Sequence, residues 1–260
     1  MPLTPAHVLA VVPLRSRRAG LLLSPLAVGS MAPDFEYLLR QSPMPGIGHT
    51  LPGVALFCVP VGLAALWLFH RFLKHPLIAL LPPRYHRAAA ELAAPFPIRP
   101  VGRLAAICGA IALGALTHLA WDSITHANGW TVAHIGALNA SVVAIGGTDV
   151  RVYKVLQHAS SIVGLGLLLF WSVRWLRARA DPTVPPEPAT ARAARVRVLA
   201  LLLAAMIASG LLAGLLAARG VRGPDAIAVF VVRGIDGGFT GGIVAVLLIA
   251  LARLPSSRAS

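Results

Sequence analysis

Charge is scarce in this sequence. Only 12% of its 260 residues are Asp, Glu, Lys or Arg, and just nine of those are acidic. A soluble domain carries about 25% charged residues, so an ordinary water-facing surface is excluded. Strict polar/apolar alternation is also missing, which argues against a membrane β-barrel. There are two cysteines, Cys58 and Cys108. Both lie in apolar blocks at different expected depths, so no disulfide is expected. No basic segment precedes an apolar core at the start, so a cleavable signal peptide is not expected.

What is abundant is apolar sequence: 57% of the residues are hydrophobic, gathered in long blocks. Leu51 to Phe72, Val101 to about Ile124, Val155 to Trp175, Val196 to Ala218 and Ala226 to Leu251 each approach the ~20 residues that span a bilayer. A lipid environment admits only helices or closed barrels. The expected fold is therefore all-α, a polytopic membrane helix bundle of about five spanning helices. Two shorter segments, Ala6 to Leu14 and Leu21 to Met31, flank the basic turn Arg15 to Arg18. They read as a short N-terminal hairpin packed on the bundle or re-entrant, with Thr4 as a helix cap.

The formal net charge is +14. Its arginines lie mostly in short segments between apolar blocks, as in cytoplasmic loops of membrane proteins. No nucleic-acid partner is expected; membrane lipid is. Lys74, Arg84, Arg87, Arg99 and Arg103 mark one cytoplasmic segment. The six arginines from Arg174 to Arg197 mark another. Two spans separate them, so Thr125 to Lys154 and Asp34 to Thr50 fall outside, and the C-terminus is cytoplasmic. The chain divides into a His/Asp-containing membrane region (1–180), a Pro-rich flexible cytoplasmic linker (181–195) and a C-terminal helix pair (196–260).

Ionisable groups within or beside a membrane are costly and mark candidate sites. The stretch THLAWDSITHANGW places His118, Asp122 and His126 four residues apart, hence on one helix face, before Asn128-Gly129 ends the helix. His and carboxylate together form a transition-metal ligand set. Three further groups reach the same outer side in this topology: His7 in TPAHVLA, Asp34 in MAPDFEY and His49 in GIGHTLPG. Plainer readings exist: a hydrogen-bonded polar cap at a membrane boundary for the His118, Asp122 and His126 face, a Pro-Asp helix cap for Asp34, and a solvated loop histidine for His49. Together the six suit one or two divalent ions. Zinc is favoured, and manganese or iron is also compatible. Arg151, Lys154 and His158 are weaker candidates for a phosphate or lipid headgroup, with His134 weaker still. Arg233 and Asp236, on one face of the last span, read as a structural ion pair.

MPLTPAHVLAVVPL, SMAPDFEYLLR, THLAWDSITHANGW and VYKVLQHASSIVG resemble an uncharacterised bacterial membrane family, domain of unknown function family 4184, over most of the chain. The order of the six residues is also distantly similar to inner-membrane proteins labelled metal-dependent hydrolases, and to zinc-dependent phospholipases C and single-strand-specific zinc nucleases. That resemblance implies Asp34, His49, His118 and Asp122 around one ion, with His7 on a second and Asp122 bridging. Two features of the soluble enzymes are missing: a free N-terminal ligand and a clear later His with an H-x-x-x-E pair. The expected function is a membrane-embedded metal-dependent hydrolase of a phosphoester or lipid-linked substrate, facing out of the bacterial cytoplasmic (inner) membrane. A non-catalytic protein with a structural metal or polar plug, and a transporter, are the alternatives.

Overall fold

In the computed structural model, residues 4–15, 22–40, 46–92, 101–145, 148–221 and 224–252 are described. Ser16 to Arg18 of the basic turn, and Arg99, lie outside them. The architecture is all-α. In chain order the helices are α1 (Val8–Val11), α2 (Leu23–Met31), α3 (Phe35–Arg40), α4 (Leu51–Ala79), α5 (His86–Leu92), α6 (Val101–Thr125), α7 (Trp130–His134), α8 (Gly136–Asn139), α9 (Val152–Arg177), α10 (Ala189–Ala218) and α11 (Pro224–Ala252). Among the described residues, five stretches are long and apolar enough to cross a membrane: Leu51–Ala79, Val101–His134, Val152–Arg177, Ala189–Ala218 and Val229–Ile249. They coincide with the five apolar blocks, and are compatible with an integral membrane protein.

One element departs from the helical expectation. Ser141–Ile145 (β1) and Thr148–Arg151 (β2) pair antiparallel. The run SVVAI favours extended backbone through its β-branched residues, and it is too short to register as a periodic pattern.

The chain forms two compact units. The first comprises 1–36, 45–66 and 97–174; the second comprises 37–44, 67–96 and 175–260. In the first unit, Val11, Leu26 and Ala110 are fully buried with Val8 and Leu113 against them, while Ala32, Val54, Cys58 and Ala115 form a second buried cluster. Cys58 and Cys108 are free thiols. Missing side chains set the approach of α2 to α6. A Cβ on Gly29 would collide with the backbone of Ile111, and one on Gly114 with the Leu26 carbonyl and, at 2.6 Å, the Ser30 amide. Small residues allow helix backbones to approach this closely where lipid supplies no hydrophobic drive.

In the second unit, α10 packs on α11 through the same device. Gly210 lies against the Gly234 carbonyl and Gly237 against Ala213. The Pro-rich segment makes specific contacts at both ends. The Asp181 amide donates to the Arg84 carbonyl at 2.9 Å, and the Thr183 amide and hydroxyl both donate to the Asp181 carboxylate. Arg195 then pairs with Glu187 at 2.9 Å. The Asp side chain closes its own turn, which composition alone does not reveal.

Candidate metal centre

Three short structures deliver candidate ligands to one place in the first unit. His7 ends the 3-10 turn Thr4–His7 that leads into α1. Asp34 ends a second, Ala32–Asp34, that continues α2. His49 ends a third, Ile47–His49, directly before α4. The start of α4 is dictated locally. Thr50 accepts from the Gly53 amide at 3.1 Å and Pro52 occupies the first turn, where its missing N–H costs nothing. His118 and Asp122 come from successive turns of α6. His118 is delivered one turn beyond Gly114, at the α2 contact.

Four donor atoms form the centre. His118 Nε2 lies 3.2 Å from Asp122 Oδ2 and 3.5 Å from Asp34 Oδ1. His49 Nε2 lies 3.4 Å from Asp34 Oδ1 and 3.9 Å from Asp122 Oδ2. Ligand atoms tetrahedrally arranged around an ion at 2.0–2.1 Å sit about 3.3 Å apart, and each of these four separations lies near that value. Beyond them, Asp122 Oδ1 lies 3.7 Å from His7 Nε2. Asp122 thus faces two groups with its two oxygens. Two triplets, His7/His118/Asp122 and Asp34/His49/His118, each hold their donor atoms within 4.8 Å of one another.

The orientation of the donors matters as much as their spacing. His118 Nδ1 donates to the Ser30 carbonyl at 2.8 Å. A carbonyl only accepts, so the Nε2 lone pair of neutral His118 points into the cluster. Such outer hydrogen bonds fix the tautomer of metal-bound histidines. His7 Nε2, His118 Nε2 and Asp122 Oδ1 are buried and make no aligned hydrogen bond. Buried polar atoms seldom go unsatisfied, and these three lie in one cluster, which fits a group able to hold an ion. The His7 and His118 rings stack at 3.9 Å between centroids.

The electrostatics of His7 and Asp34 fit such a ligand set. Burial, reinforced by His118, pushes His7 down to about 4, so its imidazole is neutral and able to donate a lone pair near neutral pH. Burial alone would raise the Asp34 carboxyl. Its histidine neighbours, His118 foremost, and the Thr4 hydroxyl outweigh it and hold the carboxyl at about 2. Thr4 therefore serves Asp34, its hydroxyl donating to Oδ2 at 2.6 Å, where the sequence suggested a helix cap.

His126 lies 3.4 Å from Asp122 Oδ1 through its Nδ1, outside both triplets. Arg151 donates to Asn139 at 2.6 Å, and Lys154 to Gln157 at 2.8 Å. His158 is exposed on α9. His134 is exposed and stacks on Trp130 at 4.3 Å. Arg233 and Asp236 belong to α11 in the second unit, with Asp236 buried. Helix α6 stops at Thr125, before Asn128, and Gly129 is needed for a different reason from a left-handed stop. Its φ is −69°, and a Cβ would strike the Ser123 carbonyl.

Two supporting residues were not singled out by sequence reasoning. Glu36, 2% exposed, accepts from the Gly48 amide at 2.8 Å and the Gly46 amide at 3.1 Å. It thereby holds the loop that presents His49. Its signal was available: a buried acid in a chain with so few. Gln157, 1% exposed, meets His126. Glu36→Ala should lower stability by about 1–3 kcal/mol, the cost of leaving a buried donor unpaired. Glu36→Gln keeps an acceptor oxygen and should recover most of it. Thermal unfolding of the two purified variants decides; equal midpoints for Ala and wild type would refute the role.

The family model described as Domain of unknown function (DUF4184) matches residues 1–250, and the chain belongs to that family. No curated protein and no solved structure matches it.

Proposed function

We propose that this member of the family is a membrane-embedded metal-dependent hydrolase, acting on a phosphoester or lipid-linked substrate at the outer face of the bacterial cytoplasmic membrane. One observation carries the reading. Asp34, His49, His118 and Asp122 present four donor atoms whose measured edges run from 3.2 to 3.9 Å. The buried His118 Nε2 among them lacks an aligned hydrogen-bond partner. The order of these residues along the chain is similar to the zinc phospholipase and nuclease pattern, which supports the same assignment.

The donor set of imidazoles and carboxylates suits zinc, and accepts manganese or iron. Asp34, His49, His118 and Asp122 would hold one ion. His7 and the second Asp122 oxygen would serve another. When bound, such an ion lowers the pKa of water and stabilises negative charge developing on a phosphoester. The chain's own residues do the rest. Ser30 fixes the His118 tautomer, Thr4 orients Asp34, and Glu36 fixes the His49 loop. Lys154 has three ammonium donors and Arg151 five guanidinium donors. Each spends one on the neighbour named above, leaving others for an anionic group. The outward direction follows from the arginine-rich segments on either side of the central two spans, which also puts the C-terminus in the cytoplasm. Membrane lipid is the expected partner, and nucleic acid is not.

Metal analysis of the full-length protein, purified in detergent and then stripped and reloaded, tests this. The expected result is one or two equivalents of zinc, with hydrolysis of phospholipid or phosphodiester substrates that disappears on chelation and returns on reloading. Absence of binding to zinc, manganese and iron alike would sink the reading. Tight binding without turnover would favour a structural site, and ion-driven uptake into liposomes would favour a transporter.

A further inference from the structure

We infer that His126 is a positioning residue for Asp122 rather than an ion ligand, and that Gln157 makes it so. The functional meaning rests on the metal-site reading above; the hydrogen-bond assignment does not.

Four residues fix which nitrogen of His126 carries its hydrogen. Lys154 Nζ donates to Gln157 Oε1 at 2.8 Å. An ammonium has no acceptor, so the amide oxygen must face Lys154. The amide NH2 therefore faces His126, where Gln157 Nε2 lies 2.9 Å from His126 Nε2. That ring nitrogen accepts. The other side of the ring gives the same answer independently. The Thr125 hydroxyl donates to the Trp121 carbonyl at 3.1 Å. Its hydrogen is thereby committed, so Thr125 Oγ1, 3.2 Å from His126 Nδ1, can only accept there. Nδ1 therefore carries the hydrogen.

Neither nitrogen then has a lone pair to offer an ion. The Nε2 lone pair is used by Gln157, and Nδ1 bears a hydrogen that lies between Thr125 and Asp122 Oδ1, the latter 3.4 Å away. What His126 supplies is the positive end of an N–H bond beside Asp122 Oδ1. This biases the rotation of the carboxylate and keeps Oδ2 aimed at His118 and His49. Gln157 and Thr125 are both buried, at 1% and 0% exposure, so a wrongly turned amide or hydroxyl would leave an unsatisfied group and cost about 1–3 kcal/mol. Lys154, exposed at the far end, links this chain of contacts to the surface.

The test has two arms on the full-length protein in detergent. In the first, histidine 15N NMR of the metal-free wild type reads the tautomer, with the His126 signals identified by their loss in His126→Asn. The expected pattern is a protonated Nδ1 and an unprotonated Nε2, displaced in Gln157→Leu; a hydrogen on Nε2 would overturn the inference. In the second arm, cobalt(II) reports on coordination. The Asn side-chain nitrogen superposes on Nδ1 and that of Gln on Nε2. His126→Asn should keep the ion stoichiometry and visible spectrum of the wild type, with affinity within about tenfold. His126→Gln and Gln157→Leu should lose about 10–100-fold, as outer-partner mutations do. A lost equivalent or altered spectrum in His126→Asn would make His126 a ligand and overturn the inference. If the wild type binds no cobalt, it is the metal reading that fails, and the NMR arm still decides the tautomer.

Discussion

Replacing His118 by alanine is expected to abolish ion binding altogether. His118 belongs to both donor triplets, so each is broken by its loss. It is fully buried, and Ser30 already directs its Nε2 lone pair inward. Loss of an outer partner costs about 10–100-fold in affinity; loss of this ligand should exceed that range. Asp122→Ala should be equally severe, because Asp122 faces His49 and His118 with one oxygen and His7 with the other. His158→Ala is the control: it removes an exposed imidazole from α9 and should leave stoichiometry and affinity unchanged. Isothermal titration or metal analysis of the purified variants gives the answer. Wild-type affinity in His118→Ala would show that the cluster is a polar plug and not a metal centre.

The same substitution made at two glycines of α6 should give opposite outcomes. At Gly114 an added methyl meets the Leu26 carbonyl and, at 2.6 Å, the Ser30 amide. These are backbone atoms with no rotamer to yield, so α2 and α6 must separate. Overpacking of this kind costs about 1–3 kcal/mol, and an ångström of separation also moves His118 away from Ser30 and Asp34. Gly114→Ala is therefore expected both to lower the unfolding midpoint and to weaken ion binding strongly. At Gly109, on the same helix, nothing lies within 4 Å of the added carbon. There alanine should be neutral or stabilise by roughly 0.5–1 kcal/mol, through the entropy glycine loses in a helix interior. A Gly114→Ala protein as stable as Gly109→Ala would refute the close-packing account.

Much of this architecture was legible from residue type and spacing. Runs of about twenty apolar residues can satisfy their backbone in lipid only as helices, so the five long apolar helices followed from length and composition. The His118/Asp122 face followed from the four-residue repeat of a helix. The hairpin of β1 and β2 did not, because five residues of SVVAI carry too little pattern. The anchoring of the Pro-rich segment did not either, since it depends on Asp181 meeting Arg84, a residue far away in sequence.

The sequence alone determined which side chains were worth watching: nine acids and nine histidines in a chain this apolar leave few places for an ion. Only the tertiary structure decided their geometry. It brought His7, Asp34 and His49, each at the end of a separate 3-10 turn, onto the α6 face. It also distinguished His118, whose Nε2 lone pair is directed inward by Ser30, from His126, whose nitrogens are engaged by Thr125 and Gln157. Those distinctions depend on partners up to 88 residues apart in the chain. Helical spacing fixes which neighbours share a face; long-range packing fixes where each lone pair points.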